Sequence, residues 1–272
     1  MKSPSVSVHR RIWREGGFSH ANRSIPEETP IALTYNAGTY AVMMATPQDL
    51  EDFAVGFSLT EGIVNSSADI QSLDVVMLEE GVELRMWLDQ SRADRLRERR
   101  RNIAGPTGCG LCGIDSIVEA ARPATMVGVG RQFSADQIMR AMQSISSLQT
   151  LNIDTRAVHA AAFWNLEQGV VALREDVGRH NALDKLTGAL ARNSVNASDG
   201  LVLLTSRVSV EMVQKTAVIG ATVMVSVSAP TALAVRMADE AGITLAAIAR
   251  SDGFEVFTHP HRIADGVAAH VA

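Results

Sequence analysis

Between Val158 and Thr258 short apolar runs alternate with helical stretches, and this alternation restricts the fold more than any other feature of the chain. Val158 to Trp164, Val170 to Leu173, Leu201 to Thr205, Thr222 to Val227, Ile243 to Ala249 and Phe254 to Thr258 read as strands. Asn181 to Arg192, Ser209 to Gly220 and Thr231 to Ala241 read as helices. Runs of Val, Leu and Ile without polar alternation belong to strands buried on both faces. The C-terminal half is therefore expected to be a layered α/β domain around a largely parallel sheet.

The N-terminal half has a different pattern. Residues 1–28 are polar and aperiodic, and read as a partly extended arm. Ile31 to Asn36 and Tyr40 to Ala45 predict a hairpin turning at Asn36-Ala37-Gly38. Thr46-Pro47-Gln48-Asp49 has the form of a helix start, with Thr as cap and Pro at the first helical position. Leu50, Phe53, Ala54 and Phe57 give that helix its buried stripe, and Gly62 stops it. Leu73 to Leu78 and Val82 to Leu88 predict a second hairpin around Glu79-Glu80-Gly81. Ser134-Ala135-Asp136-Gln137 forms a capping box for a helix with Ile138, Met142 and Ile145 on one face.

Charge and cysteine usage bound the function. The 272 residues carry 30 acids against 25 Lys and Arg, so no whole-chain basic character points to nucleic acid. Two cysteines fall short of a secreted disulfide framework, and Met1 to Arg14 has no apolar leader core, so a cytoplasmic protein is expected. Ala217 to Val235 has no charge and nearly the length of a bilayer span. Its glycine, proline and hydroxyl residues instead suit a buried strand turning into a helix, and no membrane association is expected.

Both cysteines lie in Pro106-Thr107-Gly108-Cys109-Gly110-Leu111-Cys112-Gly113. The thiolate is the reactive form of cysteine, and flanking glycines expose it and free backbone N–H groups to face it. The following stretch from Ile114 has helical spacing, and a helix N-terminus would lower a thiol pKa further. A structural zinc site usually takes four N/S ligands, and the chain has no second cysteine pair to complete one, so no metal is expected. A thioredoxin-like dithiol and a pair of inert buried cysteines remain alternatives to a working thiol on a mobile loop. Arg92, Arg95, Arg97, Arg99, Arg100 and Arg101 precede the loop, either as a solvated helix face or as a docking surface for an acidic partner.

A second cluster lies at strand ends. Arg174-Glu175-Asp176-Val177-Gly178-Arg179-His180-Asn181 crosses from strand to helix, where ligands of open α/β sheets bind. Arg174, Arg179, His180 and Lys185 are candidates to grip phosphates, assisted by helix N-terminal amides. Arg207 and Arg250 occupy equivalent strand-end positions, and the three ends together suggest an anion-binding rim. Gly128-Val129-Gly130 lacks the third glycine of a dinucleotide fingerprint. His159-Ala160-Ala161 has alanine where a zinc deaminase has its proton-moving Glu, so hydrolytic deamination is not expected and His159 reads as a core residue. His259, His261 and His270 read as surface residues.

Four runs occur in an order that resembles the formate dehydrogenase accessory sulfurtransferase (FdhD) family. They are Cys-Gly-Leu-Cys-Gly from Cys109, the run from Arg174 to Lys185, Glu-Met-Val-Gln-Lys from Glu211, and Val-Ser-Ala-Pro-Thr-Ala-Leu-Ala-Val from Val227. The match runs from Pro30 to His259. The resemblance implies a cytidine deaminase-like layered sheet in the C-terminal half with a smaller N-terminal α+β lobe. It divides the chain into an arm (1–28), a lobe with the CxxC loop at 102–113 (29–130) and an α/β cofactor-binding domain (131–272). It implies a sulfurtransferase that takes persulfide sulfur from a cysteine desulfurase. That sulfur passes to the molybdenum bis(molybdopterin guanine dinucleotide) cofactor, the bound substrate, before the cofactor enters formate dehydrogenase. By the same resemblance Cys109 carries the persulfide, and Ile248, Ala249, Arg250, Ser251, Asp252 and Gly253 contact the cofactor. GDP is then a suitable analogue, and the chain a homodimer. Cys112 can attack a Cys109 persulfide or act as a second relay point. Two other functions compete: a CxxC thiol–disulfide oxidoreductase, and a cofactor-binding chaperone whose cysteines are incidental.

Overall fold

The computed structural model describes residues 3–94, 96 and 122–264. The CxxC loop with Cys109 and Cys112, the arginine run beyond Arg92 and Asp94, and His270 lie outside the described residues.

The chain opens with β1 (Ser5–Arg14) and β2 (Gly17–Pro26), antiparallel in unbroken register from Ser5↔Pro26 to Arg14↔Gly17. The expected partly extended arm is thus a regular two-stranded ribbon, turned by Glu15 and Gly16 at positive φ. Next come β3 (Thr29–Tyr35), β4 (Gly38–Ala45), α1 (Leu50–Thr60), β5 (Ile70–Met77) and β6 (Val82–Leu88). The strands form one sheet in the order β4-β3-β6-β5. Both expected hairpins are present, the first turned by Asn36 and Ala37 in the left-handed region. The phenylalanines of α1 pack on Ile31, Leu33, Leu84 and Met86 of the inner face.

Beyond β7 (Phe133–Ser134) the order is α2 (Ala135–Ser144), α3 (Thr150–Thr155), β8 (His159–Asn165), β9 (Gly169–Asp176) and α4 (Arg179–Arg192). Then come β10 (Gly200–Leu204), α5 (Val210–Ile219), β11 (Val223–Ser226), α6 (Ala232–Glu240), β12 (Thr244–Arg250), β13 (Gly253–Val256) and β14 (Ile263–Ala264). The six-stranded sheet runs β13-β12-β11-β10-β8-β9. Alternate residues of each strand enter opposite cores, as the pleat requires. Val202, Leu204, Met224 and Leu245 meet α4, α5 and α6 on one face. Leu201, Leu203, Val223 and Val225 meet Ile138, Ala141 and Met142 of α2 on the other. The capping box of Ser134 and Gln137 is formed as the sequence predicts.

Two expectations are corrected. The sheet is mixed rather than largely parallel: β10, β11 and β12 run together, while β8 and β13 run against their neighbours. The turns joining β8 to β9 and β12 to β13 are only two or three residues long, and connections that short join antiparallel strands. Thr46 does not cap α1. Asp49, at φ 53, precedes the helix without a side-chain cap, and Thr46 bonds instead to the turn after β9. The uncharged stretch from Ala217 is divided among α5, β11 and α6, and no helix among the described residues is long and apolar enough to cross a membrane.

The two sheets are tied through α1 and α4, which cross at glycines. A Cβ on Gly56 would stand 1.7 Å from the Asp184 carbonyl oxygen, and one on Gly188 would stand 1.9 Å from that of Asp52. Only hydrogen fits between these backbones.

Candidate anion site at the sheet edge

Because β10, β11 and β12 are parallel, their C-terminal ends share one edge of the sheet. β9 ends there too, and β8, running oppositely, begins there with His159 across from Asp176. The helices that follow β9, β10 and β11 therefore start on this edge, at Gly178, Ser209 and Thr231. Helix starts present unpaired N–H groups and partial positive charge to any anion placed there.

The loops at the edge are stitched together. Ser226 Oγ donates to the Ser206 carbonyl at 2.6 Å, Val208 N to that of Ala229 at 3.3 Å, and Thr231 N to that of Val208 at 2.9 Å. Arg179 opens α4, and Arg207 stands exposed after β10. Neither guanidinium has a carboxylate partner among the described residues, and the buried Arg179 Nε and Ser209 Oγ have no hydrogen-bond partner there. Burial, then Arg179, then Arg207 hold His159 below the ordinary imidazole range, with Asp176 opposing. His180 Nε2 lies 2.6 Å from Glu211 Oε2 at the start of α5. Burial pushes its pKa down against the pull of Glu211. An edge with unneutralised guanidinium groups, neutral imidazoles and open helix starts can hold a phosphate-bearing ligand.

At the far side of the edge, exposed Arg250 closes β12, and its guanidinium donates to the Val227 carbonyl at 2.6 Å. Ile248 sits at φ 55, a left-handed conformation that costs a β-branched residue energy, where the β12–β13 register slips. Ala249 is buried, Ser251 and Asp252 are exposed in the turn, and Gly253 has φ +153.

Other candidates lie elsewhere. Arg174 is turned from the rim: its Nε and a terminal nitrogen donate to Asp52 at 2.8 and 2.6 Å, and Arg192 at the distal end of α4 shares that carboxylate. Lys185 cannot reach a ligand, because it is fully buried against Asp176 at 2.6 Å and the Thr46 carbonyl at 2.8 Å. Asp176 accepts further bonds from Thr46 N, Gly178 N and Asn181 Nδ2. A second interior pair joins Lys215 to Asp184 at 2.8 Å, with Thr60 and Glu61 beside it. Burial opposes the Lys215 charge, yet Asp184 and then Glu61 hold its pKa above the ordinary range. Sequence reasoning missed both pairs, and it missed His159, Ser209 and Glu211 at the rim. The readable signal was Asp184-Lys185 inside a run of helix otherwise made to be buried. Gly130 lies in irregular chain packed against Thr222, where a Cβ would stand 1.8 Å from the Thr222 hydroxyl.

The chain re-enters beside this edge. Gln214, one turn into α5, donates to the Arg122 carbonyl at 2.6 Å, and a cleft of 380 Å³ lies among Thr60, Gly62, Arg122, Pro123, Gln214 and Val218.

Comparison with known proteins agrees with this architecture. The model of the FdhD/NarQ family matches residues 26–264. The chain belongs to the FdhD/NarQ family. A sulfur carrier protein FdhD of Agrobacterium fabrum is 51% identical over 257 residues, 94% of this chain and 95% of that one. The protein of the same name from Cupriavidus necator is 47% identical over 251 residues, 92% of this chain and 87% of that one. The crystal structure of a candidate formate dehydrogenase accessory protein from Desulfotalea psychrophila superposes with a TM-score of 0.75 at 25% identity, covering 96% of this chain and all of that one.

Proposed function

We propose that this FdhD/NarQ family chain is a sulfurtransferase that supports formate dehydrogenase. It accepts sulfur from a cysteine desulfurase on Cys109 and delivers it to the molybdenum bis(molybdopterin guanine dinucleotide) cofactor, held as substrate at the sheet edge. In loading, the Cys109 thiolate attacks the sulfane sulfur of the donor persulfide. The donor S–S bond breaks, the donor cysteine leaves as thiolate with the electron pair, and Cys109 becomes the persulfide. The reading also has the chain cytoplasmic, acting as a homodimer, with a sheet of the cytidine deaminase type. In support of that sheet type, β8 runs against the parallel set β9, β10, β11 and β12, as β13 does at the far edge of the sheet.

The observation that carries the reading is the pair of unneutralised guanidinium groups, Arg179 and Arg207, where three helices start. A cofactor with two diphosphates suits that donor set, with Arg250 and the strained Ile248 to Gly253 segment as its nucleotide-side contacts. Thiol access is compatible. Cys112 precedes Arg122 by ten residues, a span of at most about 36 Å, and Arg122 is fixed one helical turn from the start of α5.

Mass spectrometry after incubation with a cysteine desulfurase and cysteine tests the sulfur step. One added sulfur on Cys109, abolished in Cys109→Ala and retained in Cys112→Ala, is expected. A reversible Cys109–Cys112 disulfide without added sulfur would establish the oxidoreductase instead, and no change at either thiol would leave a cofactor-binding chaperone.

A further inference from the structure

The β1–β2 ribbon has no role in the site above. Its ten-residue strands span about 34 Å, and it is hydrogen-bonded to the body at its base. Ser5 and Ser24 bond to Asp154, and Arg23 donates to the Thr155 carbonyl at 3.1 Å. Every residue from Trp13 to His20 is exposed. Trp13 and Phe18 face each other across the strands at the tip, 62% and 59% exposed, with the Arg11 guanidinium 3.7 Å over the Phe18 ring. An isolated hairpin is marginally stable in water, and paired aromatics left in solvent at its end are what a recognition arm presents.

The same chain carries a matching surface. Helix α1 covers one face of the β4-β3-β6-β5 sheet, and the opposite face exposes Val42, Met44 and Trp87. Beside Trp87 is a recess of 290 Å³ lined by Thr34, Glu83 and Arg85. Charges complement as well. The ribbon from Ser5 to Pro26 has four arginines against one glutamate, whereas the hairpin from Ile70 to Leu88 has four acids against one arginine. We propose that the ribbon of one copy lies across the outer face of this sheet in a second copy, with Trp13 and Phe18 seated at Trp87 and Arg10, Arg11 and Arg14 facing Asp74, Glu80 and Glu83. Each copy supplies both halves, so two such contacts close a two-fold dimer. The inference rests on the homodimer reading above and adds the surface that forms it.

Sedimentation of the full-length protein across a concentration series tests it. The wild type is expected to be a dimer, and Trp13→Ala with Phe18→Ala is expected to raise the dimer Kd at least about tenfold, as loss of aromatic anchors does. Arg14→Glu should weaken the dimer, and Glu80→Arg on the same chain should restore it. A photo-crosslinking residue at position 13, in mixed light and heavy-isotope protein, should join the peptide containing Trp87 of the other isotope. Circular dichroism checks that each variant is folded. A monomeric wild type would overturn the homodimer reading and this surface together. A dimer unmoved by the tip variants would leave the homodimer reading standing and overturn the surface. Crosslinks between copies to any other region, or an acidic macromolecule captured only by the wild-type tip of a monomer, would overturn the seat on the sheet.

Discussion

The run from Arg174 to Lys185 serves two regions of opposite character. Asp176, Asn181, Asp184 and Lys185 face inward, each with partners on the N-terminal sheet side or on α5. Arg179 and His180, in the same run, face the sheet edge together with Arg207 and Arg250. Inside, Lys185 and Lys215 each have a carboxylate and a further oxygen partner, the Thr46 carbonyl and the Thr60 hydroxyl. At the edge, the Arg179 and Arg207 guanidinium groups have no carboxylate partner among the described residues. A buried pair fixes which surfaces meet, because either charge alone would be stranded in a low dielectric. An unpaired cation at a helix start is available for an anion from outside. Adjacent residues of one motif thus face two environments, one that holds the two sheets together and one open to an anion.

The interior pair offers the largest effect. Lys185→Met removes the partner of Asp176, both side chains being 0% exposed. Breaking a buried pair on one side costs about 3–5 kcal/mol. Urea unfolding should show that loss as a lower midpoint at unchanged slope. A loss below about 1 kcal/mol, the range of exposed pairs, would mean that the interior and the edge do not differ as described.

The edge should respond in the opposite sense. Arg207→Ala should change stability by no more than about 0.5 kcal/mol, since it removes an exposed side chain. It should weaken GDP binding by about 1.5–3 kcal/mol, one to two orders of magnitude in Kd. Calorimetry and unfolding on the same preparation read both numbers. Persulfide loading of Cys109 should be untouched, because that step uses the donor protein. Unchanged GDP binding would move the phosphates away from Arg207.

Most of the fold was legible because its signals are local. Strands without polar alternation, the Ser134 capping box and the Asn36-Ala37-Gly38 turn each act within a few residues. The α1 start failed because Thr46 had a more distant partner: its backbone and hydroxyl bond to Asp176 and Val177, about 130 residues away. Arg174 and Lys185 were read as anion ligands for the same reason. A charged residue at a strand end looks identical in sequence whether it meets solvent or a carboxylate from another sheet. Arg179, His180, Arg207 and Arg250 do share the edge, because parallel strands bring their ends together whatever the loops contain. His159 was read as core because a lone histidine entering a strand has no local mark. Its place at the edge follows only from β8 running against β10.

The smallest expected effect comes from that histidine. In the unfolded chain His159 titrates near the ordinary imidazole value of 6.5, and in the folded chain lower, under burial, Arg179 and Arg207 with Asp176 opposing. Above pH 6.5 both states are neutral there and the group contributes no pH dependence. As pH falls below 6.5 the unfolded state takes up the proton first, so stability falls until the folded value is reached. His180 is shifted in the same direction, with Glu211, Arg179 and Lys215 around it. His159→Gln should therefore reduce the loss of stability below pH 6.5 without removing it. A phosphate bound beside Arg179 and Arg207 offsets the positive charge that disfavours the imidazolium, so GDP binding should draw His159 back toward its ordinary range. Near pH 6 binding to the wild type should take up more protons than binding to His159→Gln, read by calorimetry in buffers of different ionisation enthalpy. The terminal phosphate of GDP also titrates near pH 6, which makes the variant the necessary reference. Equal proton uptake by the two proteins would place the phosphates beyond the influence of His159, and with it away from the edge that Arg179 and Arg207 define.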